Sequence, residues 1–548
     1  MRQCFRVVPV FIALFVATVL HGQKLTPAPP RSPSDGGGPY KRLVIRGITV
    51  IDGTGAAPEG PIDVVIEGNR IVDVVSVGVP HRPIKEKGRP AKGDREIDGT
   101  GMYLLPGFVD THTHYGDGRK NPDAEYINKL WLASGVTTVR GVPLGDLDFS
   151  LKERERSAKD EIAAPRIFVY QPSFTGTGWK DKPEKTPELG REWVRFIAAK
   201  KVDGIKFFGG DPEVVQAILA EGAKYQMGSL AHLGQESEPR LTARDATRLG
   251  LRTVTHSYGL FESMLNSTTI QDYPPDQNYN DEQMRFGQVA RNWNKIAPRG
   301  SQTWNDLIAE WVKAGTVLNP TMGIYAAGRD LERAYTFEWH DKYTLPSLMD
   351  YYQPNRSNHG SFWYYWTSED EYAYKQYYKV WESFLEDFNL AGGHVTTGTD
   401  AGFIYSTYGF AYIQELELLR ECGFTPLEVI RSATLYGAEE LQSPKMPDGK
   451  MGLTDPDFGI IRPGKLADMI IVGENPLANL KVLYPTGWMK LNDTTGKVER
   501  VGGIKYTIKD GIVYDAPELL KQVAEMVAKQ KAAIRGPVTR QGITTPAP

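Results

Sequence analysis

Cysteine is almost missing from this 548-residue chain. There are two, and Cys4 sits in the extreme N-terminal segment. With that segment removed, Cys422 would stand alone and no intramolecular disulfide could form. An excess of one charge is lacking too: a net charge of -3 offers no basic footprint, which excludes nucleic acid as an expected partner. Nor is there an apolar run of comfortable membrane-spanning length. The run from Val7 to Leu20 follows Arg2 and Arg6 and is too short to span, so residues 1–22 read as a secretory signal peptide with a cut near Gly22-Gln23. An uncleaved anchor is the alternative. An export signal without a disulfide framework suits a bacterial periplasm or secretion. Residues 23–40, rich in Pro, Gly and Ser, read as a flexible linker.

What is present is an ordinary globular composition, 41% hydrophobic and 24% charged, in a chain long enough for more than one domain. From 41 to 103 short strand-like runs alternate with Gly and Asp-Gly turns, and a matching texture returns at 456–515. The two ends are therefore expected to pair into one small β-sandwich, with a tail at 516–548 that is helical or disordered. Between them, 104–455 alternates apolar strands with helical patterns. Eight such strands point to an α/β fold of the (β/α)8, or TIM-barrel, type, whose active residues lie at the C-terminal ends of the strands.

The stretch Leu104 to His114, LLPGFVDTHTH, puts two histidines at i and i+2. In a strand those positions point the same way, so His112 and His114 aim at one place, and two converging imidazoles suit a divalent cation. Spacing extends the pattern. The step from His114 to Lys206 fits three βα units of about 25–30 residues, while the steps to His232 and then to His256 fit one each. The gap from His256 to Asp400 exceeds two units by roughly 80 residues, so an insertion holding strand seven is expected at about 261–389. Taken singly, each residue has an ordinary reading. Lys206 is a barrel-end cation or a Schiff-base lysine, His232 and His256 are core histidines, and Asp400 in GTDAG is a helix N-cap. Together, six metal-type residues fall at the ends of strands one, four, five, six and eight.

These residues, flanked by LLPGFVDTHTH and TTGTDAG and followed by GIIRPGKLADMIIVGENPL, resemble the amidohydrolase superfamily from about Leu43 to Tyr514. Within it they resemble the imidazolonepropionase-like branch that includes prolidase-like and other metal-dependent dipeptidases. The resemblance implies a two-metal site. His112, His114 and Asp400 would hold one ion, His232 and His256 the other, and Lys206 would bridge both after N-carboxylation by carbon dioxide. Zinc is the first choice of metal, and manganese, cobalt or iron suit the same donors. The implied activity is hydrolysis of an amide in a small molecule, such as a dipeptide or N-acyl amino acid, with Asp400 as the proton-transferring catalytic residue. A lactonase or cyclic-amide hydrolase is the alternative on the same metals; a mononuclear deaminase or a non-catalytic binding protein stands further off. Tyr258, two residues past His256, would hydrogen-bond the substrate carbonyl or oxyanion, or else simply pack on its loop. Arg140-Gly141 departs from the family's usual Arg-Asp. The insertion is rich in Trp and Tyr, including Trp304, Trp311, Trp363, Trp381 and Tyr364. It reads as an aromatic helical subdomain able to make homo-oligomer contacts, or as a lid selecting a bulky substrate. His340 and His359 within it lack ligand spacing, and His394 opens its strand far from the C-terminal end.

Overall fold

The computed structural model describes residues 25–80, 82–84, 86–116, 120, 123–234, 237, 239–265, 282–354, 366–445 and 455–535. The expected signal peptide, the end of the tail, and His359, Trp363, Tyr364 and Tyr365 of the insertion lie outside these residues. Among the described residues, no helix is long and apolar enough to cross a membrane.

Eight strands stand side by side in chain order: β1 (Phe108–Thr113), β2 (Val136–Gly141), β3 (Arg166–Pro172), β4 (Gly204–Phe207), β5 (Gly228–Ala231), β6 (Thr253–Thr255), β7 (Val317–Asn319) and β8 (His394–Val395). All seven neighbouring pairs are parallel. Every residue of β1 and β2 is buried, as expected where helices cover a parallel sheet. The curl closes just past β8, where Thr111 N–H donates to Thr397 O and Asp400 N–H to His112 O, each at 2.9 Å.

The second domain is a nine-stranded sheet drawn from both ends of the chain. Its middle is Tyr103–Pro106, which pairs antiparallel with Met469–Val472 and parallel with Leu43–Val50. Leu104, Ile45, Val64, Met469 and Ile508 form a core separate from that of the barrel. The stretch expected as one strand from Leu104 is therefore two strands in two sheets, and the barrel begins at Phe108. Gly107 is the hand-over point. A Cβ there would lie 2.1 Å from Thr137 Oγ1, so only glycine lets the chain pass this close to β2.

The supposed linker is also structured over residues 25–40. Gly36 and Gly37 pair with Tyr514 and Val513, Asp35 lies 3.1 Å from Lys129 Nζ, and Ala28 N–H donates to Glu153 at 3.2 Å. Its proline and glycine content produces an irregular strap fixed at intervals.

Within the insertion, α1 (Gln302–Ala314) and α3 (Ser368–Leu390) are the shell helices that precede β7 and β8. Trp304 and Trp311 of α1 meet Phe384 of α3 edge-on, at 5.0 and 6.0 Å between ring centres. Much of the aromatic content is thus shell packing. Short helices fill the stretch from β7 to Tyr351, beginning with α2 (Met322–Arg329). Helix α4 (Leu435–Gln442) sends Glu440 into the barrel interior, where it meets Arg140. The tail folds as α5 (Ala516–Arg535), burying Leu519, Val523 and Val527, and Gln530 accepts from Ser347 N–H at 2.9 Å.

Candidate metal centre

The strand ends deliver the candidate ligands to one place. His112 near the end of β1 and His114, the first residue after it, converge on Asp400: their Nε2 atoms lie 3.8 and 3.3 Å from Asp400 Oδ1. His256, the first residue after β6, reaches Asp400 Oδ2 at 3.7 Å. Nitrogen and oxygen donors of His112, His256 and Asp400 all lie within 4.8 Å of one another. His232 follows β5, with its ring centre 4.8 Å from that of His256 and 4.6 Å from that of Tyr258. Lys206 is buried on β4, with its Nζ 5.1 Å from the Phe208 ring centre. The six expected ligands and Tyr258 thus share the C-terminal mouth of the barrel.

Local structure holds them there at a cost. His256 and Asp400 have φ of +63° and +49°, a region non-glycine residues avoid unless their surroundings impose it. His256 N–H is tied to Asn319 O and Asp400 N–H to His112 O. Asp110, two residues before His112 on β1, is fully buried and clamps the facing loop. It accepts from Thr399 N–H at 3.0 Å, from the Thr399 hydroxyl at 2.7 Å and from His112 N–H at 3.2 Å. Gly398 permits the close approach of this loop, because a Cβ there would come 2.6 Å from Asn319 Nδ2 and 2.8 Å from His112 Cβ.

The electrostatics are those of a dry, crowded site. Burial pulls the Lys206 ammonium down to about 7, with Arg140 adding to the shift and Asp400 opposing it. Burial likewise lowers His256 to about 3, with Asp400 opposing and Lys206 adding to the shift, and takes His112 well below the ordinary imidazole value, where Lys206 again adds to it. Burial works to raise Asp400, but His114, His256 and Lys206 outweigh it and hold the carboxylate ionised. Neutral imidazoles around an anion are the form in which these groups bind a divalent cation. The donor set fits such an ion: His256 Nε2 is buried, faces Asp400 and makes no hydrogen bond. His114 Nδ1 lies 3.0 Å from Pro143 O, which fixes the ring and leaves Nε2 toward Asp400.

Other histidines stay apart. His394 stacks on Tyr436 at 3.9 Å, and His340 bonds Thr344 and Ala334 O. Arg140 is wholly buried below the site, donating to Thr111 O at 2.6 Å and to Glu440. Arg140, the residue that keeps the family's Arg, is thus part of an interior ion pair, while the departure falls on Gly141 at the end of β2. Four neighbours of the site escaped sequence reasoning. Thr321 Oγ1 is 2.6 Å from His256 Nδ1, and the Tyr325 hydroxyl donates to Tyr258 at 2.9 Å. Phe403 stands edge-on to His114 at 6.1 Å, and Phe208 lies 5.7 Å from His232 while remaining 49% exposed. Thr321 had a usable signal, its place just past strand seven; Tyr325, on a helix of the insertion, had none.

No family model matches the chain. It is 28% identical over 232 residues to an allantoinase of Enterococcus faecalis, a match covering 38% of this chain and 47% of that protein. The chain thus spans less than half the length of the curated relatives it matches. Among solved structures it resembles a Xaa-Pro dipeptidase with methionine bound in its active site, with a TM-score of 0.54, 19% identity, and coverage of 86% of this chain and all of that one. It also resembles a bottromycin amidohydrolase, with a TM-score of 0.59, 16% identity, and coverage of 90% and 92%. At such identities the likeness is one of fold.

Proposed function

On the premise that the chain belongs to the amidohydrolase superfamily, we propose that it is an exported enzyme hydrolysing a carbon–nitrogen bond of a small amide, such as a dipeptide or N-acyl amino acid. The observation that carries the reading is the convergence of three imidazole Nε2 atoms on one ionised carboxylate at the barrel mouth. His112, His114 and Asp400 would hold one divalent ion and His232 and His256 a second, with Lys206 as the bridge. Buried and titrating at about 7, Lys206 reaches the neutral amine that adds to carbon dioxide, giving a carbamate anion and a proton. Bound there, divalent ions supply Lewis acidity and bring the ionisation of water into the neutral range.

The chain's own groups do the rest. Asp400 accepts the proton of the attacking water and returns it to the departing nitrogen, for which its place among the converging imidazoles suits it. The Tyr325 hydroxyl donates to Tyr258 Oη and holds that side chain beside His232, where its hydroxyl would meet the scissile carbonyl oxygen as charge grows on it. Phe208 flanks His232 and, half exposed, offers an aromatic face to the substrate. Export rests on the basic start and apolar run of residues 1–22.

The test is metal content by mass spectrometry together with hydrolysis of a panel of dipeptides, N-acyl amino acids and lactones. Wild type is expected to hold about two ions per chain and to cleave amides in preference to lactones, with Lys206→Ala and Asp400→Asn losing metal and activity together. One ion per chain, unaffected by Lys206→Ala, would refute the binuclear centre. Sequencing the N-terminus of the exported protein checks the signal peptide.

A further inference from the structure

We propose that Thr321 is a positioning residue that dictates which ring nitrogen His256 presents to the centre. The argument starts from a single proton. A threonine hydroxyl has one hydrogen to donate and lone pairs for the rest. Thr321 Oγ1 lies 2.7 Å from Pro320 O, a carbonyl that can only accept, so the hydroxyl hydrogen is committed there. Toward His256 Nδ1, 2.6 Å away, the hydroxyl then offers only a lone pair. Nδ1 must carry the ring hydrogen, and Nε2 is left bare. That bare nitrogen is the one buried without a hydrogen bond and aimed at Asp400.

The surroundings keep Thr321 in this role. Its backbone sits at φ +51°, capping α2, and the next two N–H groups donate to the buried carboxylate of Glu415, Met322 at 2.9 Å and Gly323 at 2.7 Å. From the other side, Asn319 O holds His256 N–H. Glu415 therefore fixes the turn, the turn fixes the hydroxyl, and the hydroxyl fixes the imidazole. Without the hydroxyl, His256 is free to place its hydrogen on Nε2 and donate to Asp400, which withdraws the lone pair from any ion. Partners of this kind, on the far nitrogen of a ligating histidine, typically alter metal affinity by about 10–100-fold.

The inference rests on the metal-centre reading, and one experiment separates the two. Metal-depleted wild type, Thr321→Ser and Thr321→Val, labelled with nitrogen-15 in the imidazoles, are compared by long-range proton–nitrogen spectra, with His256→Asn assigning the signal. Zinc affinity is measured on the same samples by competition with a chromogenic chelator. Wild type and Thr321→Ser are expected to show His256 protonated on Nδ1. Thr321→Val is expected to shift the hydrogen to Nε2 and to weaken zinc binding by about 10–100-fold. A wild-type signal protonated on Nε2 overturns the proposal whether or not any variant folds, and so does a Thr321→Val protein that keeps both the Nδ1 proton and full affinity. Wild type that shows the Nδ1 proton yet binds no zinc would support the tautomer assignment and overturn the metal centre.

Discussion

Arg140 and Glu440 make the sharpest energetic claim in the molecule. Both side chains are essentially inaccessible, and they meet in the barrel interior beneath the centre. Arg140 also donates to Thr111 O at 2.6 Å and lies over the Tyr170 ring at 5.0 Å. Glu440 also accepts from Thr253 at 2.6 Å and from Thr396 at 3.1 Å. Removing one charge strands the other in a low dielectric, at a cost of about 3–5 kcal/mol. Large domains lose about 2 °C of melting temperature per kcal/mol, so Glu440→Gln or Arg140→Met should each lower the transition by about 6–10 °C. The double variant Arg140→Met/Glu440→Gln leaves no stranded charge, and its loss should fall well short of the sum of the two single losses. Differential scanning calorimetry at one fixed scan rate reads all four proteins. Single variants within about 2 °C of wild type, or strictly additive losses, would refute the reasoning.

Three further outcomes are expected. Asp110→Asn keeps the size of the side chain but loses an acceptor toward Thr399, so the Asp400 loop should loosen and kcat/KM fall about 10–100-fold with the melting temperature little changed; steady-state kinetics beside calorimetry checks this. Phe208→Ala should raise KM for aromatic N-acyl amino acids about 5–10-fold while metal content stays constant, and an unchanged KM would place Phe208 outside the substrate site. Burial pushes Glu415 up to about 8 in the fold, against an ordinary value of 4.5. Between those values only the folded state holds the proton, so this group makes stability fall as pH rises from about 5 to 8, by up to about 1.4 kcal/mol per unit. Glu415→Gln should flatten that part of the melting-temperature profile, and an equal slope in both proteins would count against it.

The barrel strands and the six convergent residues were legible because both depend on short-range pattern: apolar runs, turn residues and the spacing of βα units. The hand-over at Gly107 was not, since an apolar run broken by Pro-Gly reads the same whether its halves share a sheet or join two. The strap at 25–40 was misread for a related reason. Pro and Gly composition reports the lack of regular structure, whereas its order comes from distant partners such as Lys129, Glu153 and Tyr514. Tyr325 reaches the site from α2 and Phe403 from the loop after Asp400, segments whose course depends on the whole fold, and no local periodicity marks them.

The sheet built from both ends gives the chain a timetable. Thr507 donates its hydroxyl proton to Leu132 O, a partner 375 positions earlier, and Leu104 and Leu105 find their antiparallel neighbours only in Met469–Val472. At ribosomal speeds of about 5–20 residues per second, the N-terminal strands wait roughly 20–75 s for those partners to emerge. During that interval one edge of Tyr103–Pro106 is an open hydrogen-bonding rail with buried-type side chains beside it, the kind of surface that recruits stray strands. Until those partners arrive, during synthesis or after export, this edge needs cover from a chaperone.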